Sequence, residues 1–95
     1  MTKAIWKGVV IAESDKCIEV ESNQYFPQDS INKKYFKKNT TEKYTCPWKG
    51  ETQYWDVVVD GETNSAAAWS YPDPKSAAKN ITGYFAFWRG VEVKE

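Results

Sequence analysis

The chain of 95 residues contains no histidine, and this absence excludes several common kinds of active site. A Ser-His-Asp triad, a Cys-His pair and a histidine-ligated metal all need an imidazole that this sequence does not supply. Its two cysteines, Cys17 and Cys46, cannot complete a four-ligand structural zinc site. We therefore predict no metal site and no catalytic machinery built on histidine.

Glycine is scarce as well, and the five glycines never cluster. Phosphate-cradling loops and the dinucleotide-binding fingerprint both need closely spaced glycines at a strand-to-helix turn. The sequence therefore predicts no cofactor held by a loop of that kind, and we expect none.

Net charge and long apolar runs are also missing. Thirteen basic and thirteen acidic residues cancel, so no overall field attracts phosphate backbones or anionic membranes. No apolar run approaches the roughly 18 residues of a membrane span, and no apolar signal segment follows Met1. We expect a cytosolic protein with free thiols that binds neither nucleic acid nor membrane.

Aromatic residues are abundant, at 16% of the chain, and the hydrophobic fraction is 41%. A chain of this length can bury one hydrophobic core but not two. We therefore predict one globular domain over residues 1–95. Its neutral net charge does not discourage self-association, so a monomer and a homodimer both remain open.

Short alternating segments separated by turn residues predict a mainly β, antiparallel fold. Residues 3–6, 9–14 and 17–21 are typical of a three-stranded meander. Asp60-Gly61 predicts a hairpin after strand 51–59, and the returning strand is expected to break at Asn64 and Ser65 before residues 66–71. A last hairpin is predicted about Arg89-Gly90, from residues 84–88 to 91–93.

Two short helices are predicted, near residues 28–36 and 74–80. Pro27 or Ser30 can begin the first, and Asp73-Pro74 supplies an N-cap and a first-turn proline for the second. Four lysines lie in or just after the first predicted helix, at positions 33, 34, 37 and 38. We interpret them as a solvated face, with an anion-binding patch as the alternative.

Several segments together resemble the domain of unknown function 427 family. They are Trp6-Lys7-Gly8, Tyr25-Phe26-Pro27, Cys46-Pro47-Trp48-Lys49-Gly50, Val57-Val58-Val59-Asp60-Gly61, Ala67-Ala68-Trp69-Ser70-Tyr71-Pro72-Asp73-Pro74 and Ala86-Phe87-Trp88. The resemblance covers nearly the whole chain. It implies a small antiparallel double-sheet domain, similar to the tent-like sheets of methionine sulfoxide reductase B and Mss4-like proteins.

The resemblance implies little about activity. The family is sometimes labelled nucleotidyltransferase-like, but that chemistry needs paired carboxylates on Mg²⁺ beside a phosphate-binding loop, and the sequence has neither. Asp56 and Asp60 are expected to be structural. The zinc-bearing relatives carry two Cys-x-x-Cys pairs that this chain lacks, so their cysteine chemistry does not transfer.

Cys46 is the candidate catalytic residue, because Pro47 fixes the backbone after it and Lys49 can lower its thiol pKa. The alternative is that Cys46 is a small buried hydrophobe. Cys17 shares its strand face with Glu19 and Glu21, whereas Cys46 lies between a strand and a Pro-Trp turn, so we expect Cys46 to be the less exposed thiol.

The candidate ligand site is an aromatic cleft formed by Trp48, Trp69 and Tyr71, with Lys49 and Arg89 able to neutralise an anion at its rim. The wider aromatic set that can line it also contains Trp55, Tyr84 and Trp88. Core packing is the alternative for the aromatic residues, and an ordinary turn cation is the alternative for Arg89.

Three functions follow from these residues. The favoured one is a module that binds a small planar or anionic metabolite in the aromatic cleft. The second is an enzyme that uses Cys46, or a Tyr-Lys-carboxylate set, on a nucleotide or thiol compound. The third is a structural interaction domain that pairs through an edge strand or an aromatic patch.

Overall fold

Eleven β-strands and three short 3₁₀ helices make up the computed structural model, which describes residues 1–95. The strands are β1 (Thr2–Trp6), β2 (Val9–Ser14), β3 (Ile18–Val20), β4 (Asn23–Tyr25), β5 (Phe36–Lys38), β6 (Thr45–Cys46), β7 (Gly50–Glu51), β8 (Gln53–Val59), β9 (Glu62–Ser70), β10 (Phe85–Phe87) and β11 (Glu92–Lys94). The 3₁₀ helices are Gln28–Ser30, Lys33–Tyr35 and Ser76–Ile81. The predicted mainly β class is confirmed, and no helix has the length and apolarity needed to cross a membrane.

The strands form two larger sheets and two small hairpins. One sheet has the order β11-β1-β2, and the other has the order β10-β9-β8-β5. Strands β3 and β4 form one hairpin, and β6 and β7 form the other. Every pair of these strands is antiparallel, as predicted.

Two of the tight turns are those that the sequence predicts. Lys7-Gly8 joins β1 to β2, and Asp60-Gly61 joins β8 to β9. Both residues of each turn have positive φ, at 52° and 74° in the first turn and 51° and 78° in the second. Such turns match the right-handed twist of the strands that they join, and glycine adopts the second position without strain.

The predicted meander is wrong in its third strand, and the predicted last hairpin is also wrong. Strand β3 pairs with β4 and not with β2, because its Ile18 and Val20 pack on a different hydrophobic cluster from that of β2. Arg89-Gly90 does form a turn, but β10 pairs with β9 and β11 pairs with β1. The turn therefore carries the chain from one large sheet to the other.

The two predicted helices are present only as 3₁₀ turns. In the first segment Ile31 is extended, with φ −87° and ψ 148°, because Asn32 N donates to Ile11 O at 2.8 Å and holds the segment against β2. In the second segment Ala78 has non-helical angles and interrupts the helical turns. Pairing with neighbouring backbone therefore prevents a continuous helix in the first segment.

Strand β9 continues through Asn64 and Ser65, where the sequence predicts a break. Trp55 pairs with Ala68 and Val57 pairs with Asn64, so extra residues of β9 bulge out between these pairs. Asp56 holds the bulge, since its Oδ1 accepts hydrogen bonds from Ala66 N at 2.9 Å and Asn39 Nδ2 at 2.8 Å. Asp56 therefore has the structural role that the sequence predicts.

The buried side chains form two clusters. The first contains ten buried residues drawn mainly from the two larger sheets, including Ile11, Phe26 and Val57. The second contains six: Tyr25, Cys46, Tyr71, Ala78, Ile81 and Ala86. Tyr25 and Tyr71 belong to this second cluster and also reach the pocket described next, so the cluster fixes part of the pocket wall.

Candidate functional site

An open pocket of about 420 Å³ lies on one face of the four-stranded sheet. Its lining consists of Asn23, Tyr25, Tyr44, Lys49, Tyr54, Trp69, Tyr71 and Trp88. Six of these eight side chains are aromatic, Lys49 is the single cation, and no carboxylate is among them.

The sheet supplies the centre of the pocket through one cross-strand pair. Tyr54 of β8 and Trp69 of β9 are register partners, and partners in an antiparallel pair point to the same face. Trp88 stacks on Tyr54 with ring centroids 6.2 Å apart, and meets Trp69 edge-on at 5.4 Å. The Trp88 indole N–H donates to Ala66 O at 2.6 Å, so the β9 bulge fixes this ring.

Tyr25 forms the deep part of the wall. Its ring is buried and meets Trp69 edge-on, with centroids 6.2 Å apart and ring planes at 87°. Trp69 Nε1 donates a hydrogen bond to the Tyr25 hydroxyl at 3.2 Å. Trp69 is thereby held by β8 on one side and by the β3–β4 hairpin on the other.

Lys49 is 5% exposed, although it carries a charge. Its Nζ donates to the Glu21 carboxylate, and lies 4.9 Å from the Trp48 ring centroid and 5.5 Å from that of Tyr71. Burial acts to lower the pKa of Lys49, but Glu21 and the nearby Tyr25, Tyr71 and Cys46 outweigh it and raise the pKa above its usual value. Lys49 is therefore charged at neutral pH.

Other pocket groups also have shifted pKa values. Burial raises the pKa of the Tyr71 phenol, and Thr52 and the Lys49 charge oppose this only in part. Burial likewise raises the pKa of Tyr54, where Glu42 adds to the effect and Arg89 opposes it. Both phenols are therefore protonated at neutral pH, and each retains an O–H donor.

The β6–β7 turn places Lys49 at the pocket. Gly50 has a φ of +110°, which a residue with a side chain rarely adopts, and a Cβ there would lie 3.4 Å from Lys75 N. Lys75 N donates to Lys49 O at 2.9 Å, and Lys75 Nζ donates to Pro47 O at 2.8 Å. The segment before Ser76–Ile81 thus anchors the turn.

The β3–β4 turn places Glu21 opposite Lys49. Glu21 and Ser22 have φ values of 52° and 67°, and neither is a glycine. Each such residue costs about 1 kcal/mol or more. The hydrogen bond from Lys49 to the Glu21 carboxylate stabilises the hairpin in this conformation.

The structure brings some of the predicted site residues together and separates others. Lys49, Trp69 and Tyr71 line one pocket, and Trp48 contacts Lys49 from outside the lining. Arg89 lies outside the lining, where it covers the Trp88 ring at 4.5 Å and donates to Ser65 O at 3.1 Å.

Cys46, the candidate catalytic residue, does not line the pocket. It is 6% exposed within the second cluster, whereas Cys17 is half-buried. The prediction that Cys46 is the less exposed thiol is confirmed, and both thiols are free. Nowhere do three or more His, Cys, Asp or Glu side chains come together as metal ligands would.

Sequence reasoning missed five residues of the site, namely Glu21, Asn23, Tyr25, Tyr44 and Tyr54. A signal was present for Tyr54. Successive residues of a strand point to opposite faces of the sheet. Counting back from the two-residue turn Asp60-Gly61 therefore places Tyr54 on the face that Trp69 occupies. Nothing comparable predicts Glu21, because neither central residue of its turn, Glu21 or Ser22, is a glycine, asparagine or aspartate.

Fold and pocket together define a small, mainly β domain with an aromatic-lined pocket beside a buried lysine. The chain belongs to the family described as Domain of unknown function (DUF427), named NTP_transf_9, whose model matches residues 1–95. The family predicted from the sequence is thereby confirmed. No curated protein matches the chain.

Proposed function

We propose that this domain binds a small planar metabolite in the aromatic pocket, with an anionic or polar group of the ligand directed at Lys49. One observation carries the proposal: six aromatic side chains surround an open volume of about 420 Å³ that contains a single buried cation. Ligand pockets of about 300–1,000 Å³ with mostly apolar walls and a few polar groups are typical of small-molecule sites.

The aromatic walls favour a flat ligand. Trp69, Trp88 and Tyr54 are held by hydrogen bonds or ring contacts, so that they offer surfaces for stacking that are already in place. Stacking and a charge-assisted hydrogen bond each contribute about 1 kcal/mol, so the affinity is modest.

The ion pair at the pocket favours a ligand with a single anionic group. Glu21 is half exposed, whereas Lys49 is enclosed by two rings, so an incoming carboxylate or phosphate can take the place of Glu21 on Nζ. The ligand then competes with an internal carboxylate, which is a second reason for modest affinity. A neutral planar ligand would leave the pair intact.

Catalysis is the weaker alternative. A Tyr-Lys-carboxylate set is present as Tyr71, Lys49 and Glu21, but the raised pKa values of Tyr71 and Lys49 keep both protonated at neutral pH. A protonated lysine can stabilise negative charge, but it cannot serve as a general base. Cys46 is buried outside the pocket, which also favours binding over thiol chemistry.

A ligand screen with matched lysine variants tests the proposal. Planar organic acids and their neutral analogues are screened by thermal shift and tryptophan fluorescence, and hits are titrated against Lys49→Met and Lys7→Met. Lys7 is a good control because it also pairs with a glutamate and lies over a tryptophan ring, but does so at an exposed site. We expect Lys49→Met to weaken an anionic hit about tenfold and Lys7→Met to leave it unchanged.

Variants of the rings complete the design. Trp69→Ala removes a pocket wall, whereas Arg89→Ala removes a charge outside the lining. If a confirmed ligand bound the Lys49→Met and Trp69→Ala proteins as tightly as the parent, the pocket would not be its site. The hypothesis of a structural interaction domain would then replace that of a metabolite-binding module.

Three finer properties accompany this proposal. We propose a cytosolic location, to which the free thiols lend support, and a monomer or homodimer without nucleic-acid or membrane partners. We also propose that the two larger sheets correspond to the tent-like, Mss4-like arrangement of the relatives named above. Sedimentation would determine the oligomeric state.

A further inference from the structure

A second groove, of about 460 Å³, lies on the other face of the four-stranded sheet. Successive residues of a strand point to opposite faces, so Trp55 faces away from the pocket that its neighbour Tyr54 lines. The Gln53 and Ser70 register pair accompanies Trp55 in the groove. Pocket and groove share no lining residue.

The groove carries positive charge that no ion pair neutralises. Its lining contains Lys33 and Lys38 but no carboxylate. Neither lysine forms an ion pair, in contrast to Lys49 on the opposite face, which Glu21 already neutralises. An anion entering the groove therefore has no internal carboxylate to displace from these lysines.

The floor of the groove is apolar and fixed. The Trp55 ring rests against Phe85 with centroids 5.2 Å apart, and Phe36 contacts Phe85 at 5.5 Å. Trp55 Nε1 donates to the buried Ser70 Oγ at 3.1 Å, which holds the indole in one orientation. Trp55 is half-buried, so part of the ring remains available to a ligand.

The charge lies next to this floor. Lys38 and Trp55 are register partners on β5 and β8, so their side chains leave the sheet on the same face. Lys33 approaches from the 3₁₀ turn Lys33–Tyr35 and also lines the groove. Gln53 Nε2 is bonded to Asn39 O and Tyr54 O, which leaves its Oε1 free to accept a hydrogen bond from a ligand.

We propose that this groove is a second binding site, which takes a small aryl anion, with its flat part on Trp55 and its carboxylate or phosphate between Lys33 and Lys38. The site is independent of the aromatic pocket and of the function proposed for it.

Indole resonances separate the two sites in one experiment. The five tryptophan N–H groups are expected to give separate signals in a nitrogen-15 correlation spectrum, in which Trp55 reports on the groove while Trp69 and Trp88 report on the pocket. Benzoate and phenyl phosphate are the probes, and inorganic phosphate measures the charge contribution alone. We expect a saturable shift of the Trp55 signal with both aryl probes and a weaker effect of phosphate. A shift of Trp69 and Trp88 reports separately on binding in the pocket and does not bear on the groove.

Two double variants with the same change in charge supply the control. Lys33→Met/Lys38→Met removes the groove lysines, and Lys34→Met/Lys37→Met removes their chain neighbours, which do not line the groove. We expect the first to weaken phenyl phosphate binding about tenfold and the second to change it less than twofold.

Three results would overturn the groove proposal. One is a probe that shifts Trp69 and Trp88 but not Trp55, which would assign it to the pocket. Another is an equal loss of affinity in the two double variants, which would show that binding depends on the net charge of the protein and not on the groove lysines. The third is the lack of a saturable Trp55 shift up to about 10 mM probe. If the aromatic pocket proved to bind no ligand, each of these three results would keep the same meaning for the groove.

Discussion

The Lys49 ammonium donates to the Glu21 carboxylate, and the two side chains differ sharply in exposure, at 7% and 54%. In each of the other five ion pairs of the protein both charged groups are at least two-fifths exposed. Exposed pairs contribute little because water and salt screen them. A lysine enclosed by protein depends on its partner far more, since its charge has lost most of its own hydration.

This pair predicts a specific dependence of stability on pH. The hydrogen bond from Lys49 lowers the pKa of Glu21, so its contribution is present above the ordinary carboxyl pKa and disappears as pH falls through the lowered pKa. We expect Glu21→Gln to have a lower Tm than the parent near neutral pH, and the difference to vanish in acid. Thermal melts from about pH 8 to about pH 2.5 measure it.

Glu19→Gln is the control, because Glu19 lies on the same hairpin and forms no ion pair. Its Tm is expected to follow that of the parent across the whole range. A pH profile of Glu21→Gln parallel to that of the parent would show that the carboxylate contributes nothing to folding.

Local signals in the sequence predict part of this fold. Lys7-Gly8 and Asp60-Gly61 specify their own hairpins, because a turn with two positive φ values needs a residue that tolerates them. Glu21 and Ser22 form a turn of the same kind without such a residue, and tertiary contacts of Glu21 hold it. A turn that is stabilised by contacts with residues elsewhere in the protein cannot be recognised from its own residues.

The sequence predicts the candidate site only in part for a similar reason. Trp69, Tyr71 and Lys49 stand in distinctive motifs and do meet in the pocket. Arg89 stands in a similar motif but is turned outward, since the chain leaves one sheet for the other at that point. Which sheet each strand joins depends on the burial of side chains that are distant in the sequence, and no local pattern of residues encodes this choice.

Thiol labelling is expected to distinguish the two cysteines. Cys17 is half-buried, and burial raises the pKa of its thiol, so it should react slowly at neutral pH and faster as the pH rises. Cys46 is buried and should react only when the protein opens. Ellman's reagent on the parent and on Cys17→Ser measures both phases. If Cys17→Ser kept the faster phase, the order would be reversed.

The hydrogen bond between Trp69 and Tyr25 is expected to contribute measurably to stability. Tyr25→Phe keeps the ring but removes the acceptor of the Trp69 indole N–H, and we expect it to lower the free energy of unfolding by about 1 kcal/mol. Tyr44→Phe is the control, because Tyr44 is exposed and its hydroxyl has no partner within the protein; it should change stability by less than about 0.5 kcal/mol. Equal effects in urea unfolding would contradict the role of this bond.

The bulge in β9 is expected to depend on Asp56. Its Oδ1 accepts from Ala66 N and Asn39 Nδ2, and Ala66 has a φ of 52°, an unusual value for a residue with a side chain. Asp56→Ala leaves both donors without their acceptor, so we expect a loss of about 1–3 kcal/mol in the free energy of unfolding. Asp56→Asn retains an oxygen at the same position and should lose less.

The same substitution should disturb the pocket, and this effect separates the bulge from ordinary loss of stability. The Trp88 indole N–H bonds to Ala66 O, so a bulge released by Asp56→Ala should free the Trp88 ring from its place against Trp69. We expect the Trp88 indole resonance to move in Asp56→Ala, whereas Trp6, on β1 of the other sheet, should not respond. Asp60→Asn is the control, since it alters an exposed carboxylate of the adjoining turn. Two results would show that Asp56 does not hold the bulge. One is an equal loss in the free energy of unfolding in Asp60→Asn and Asp56→Ala, and the other is a Trp88 signal that stays in place in Asp56→Ala.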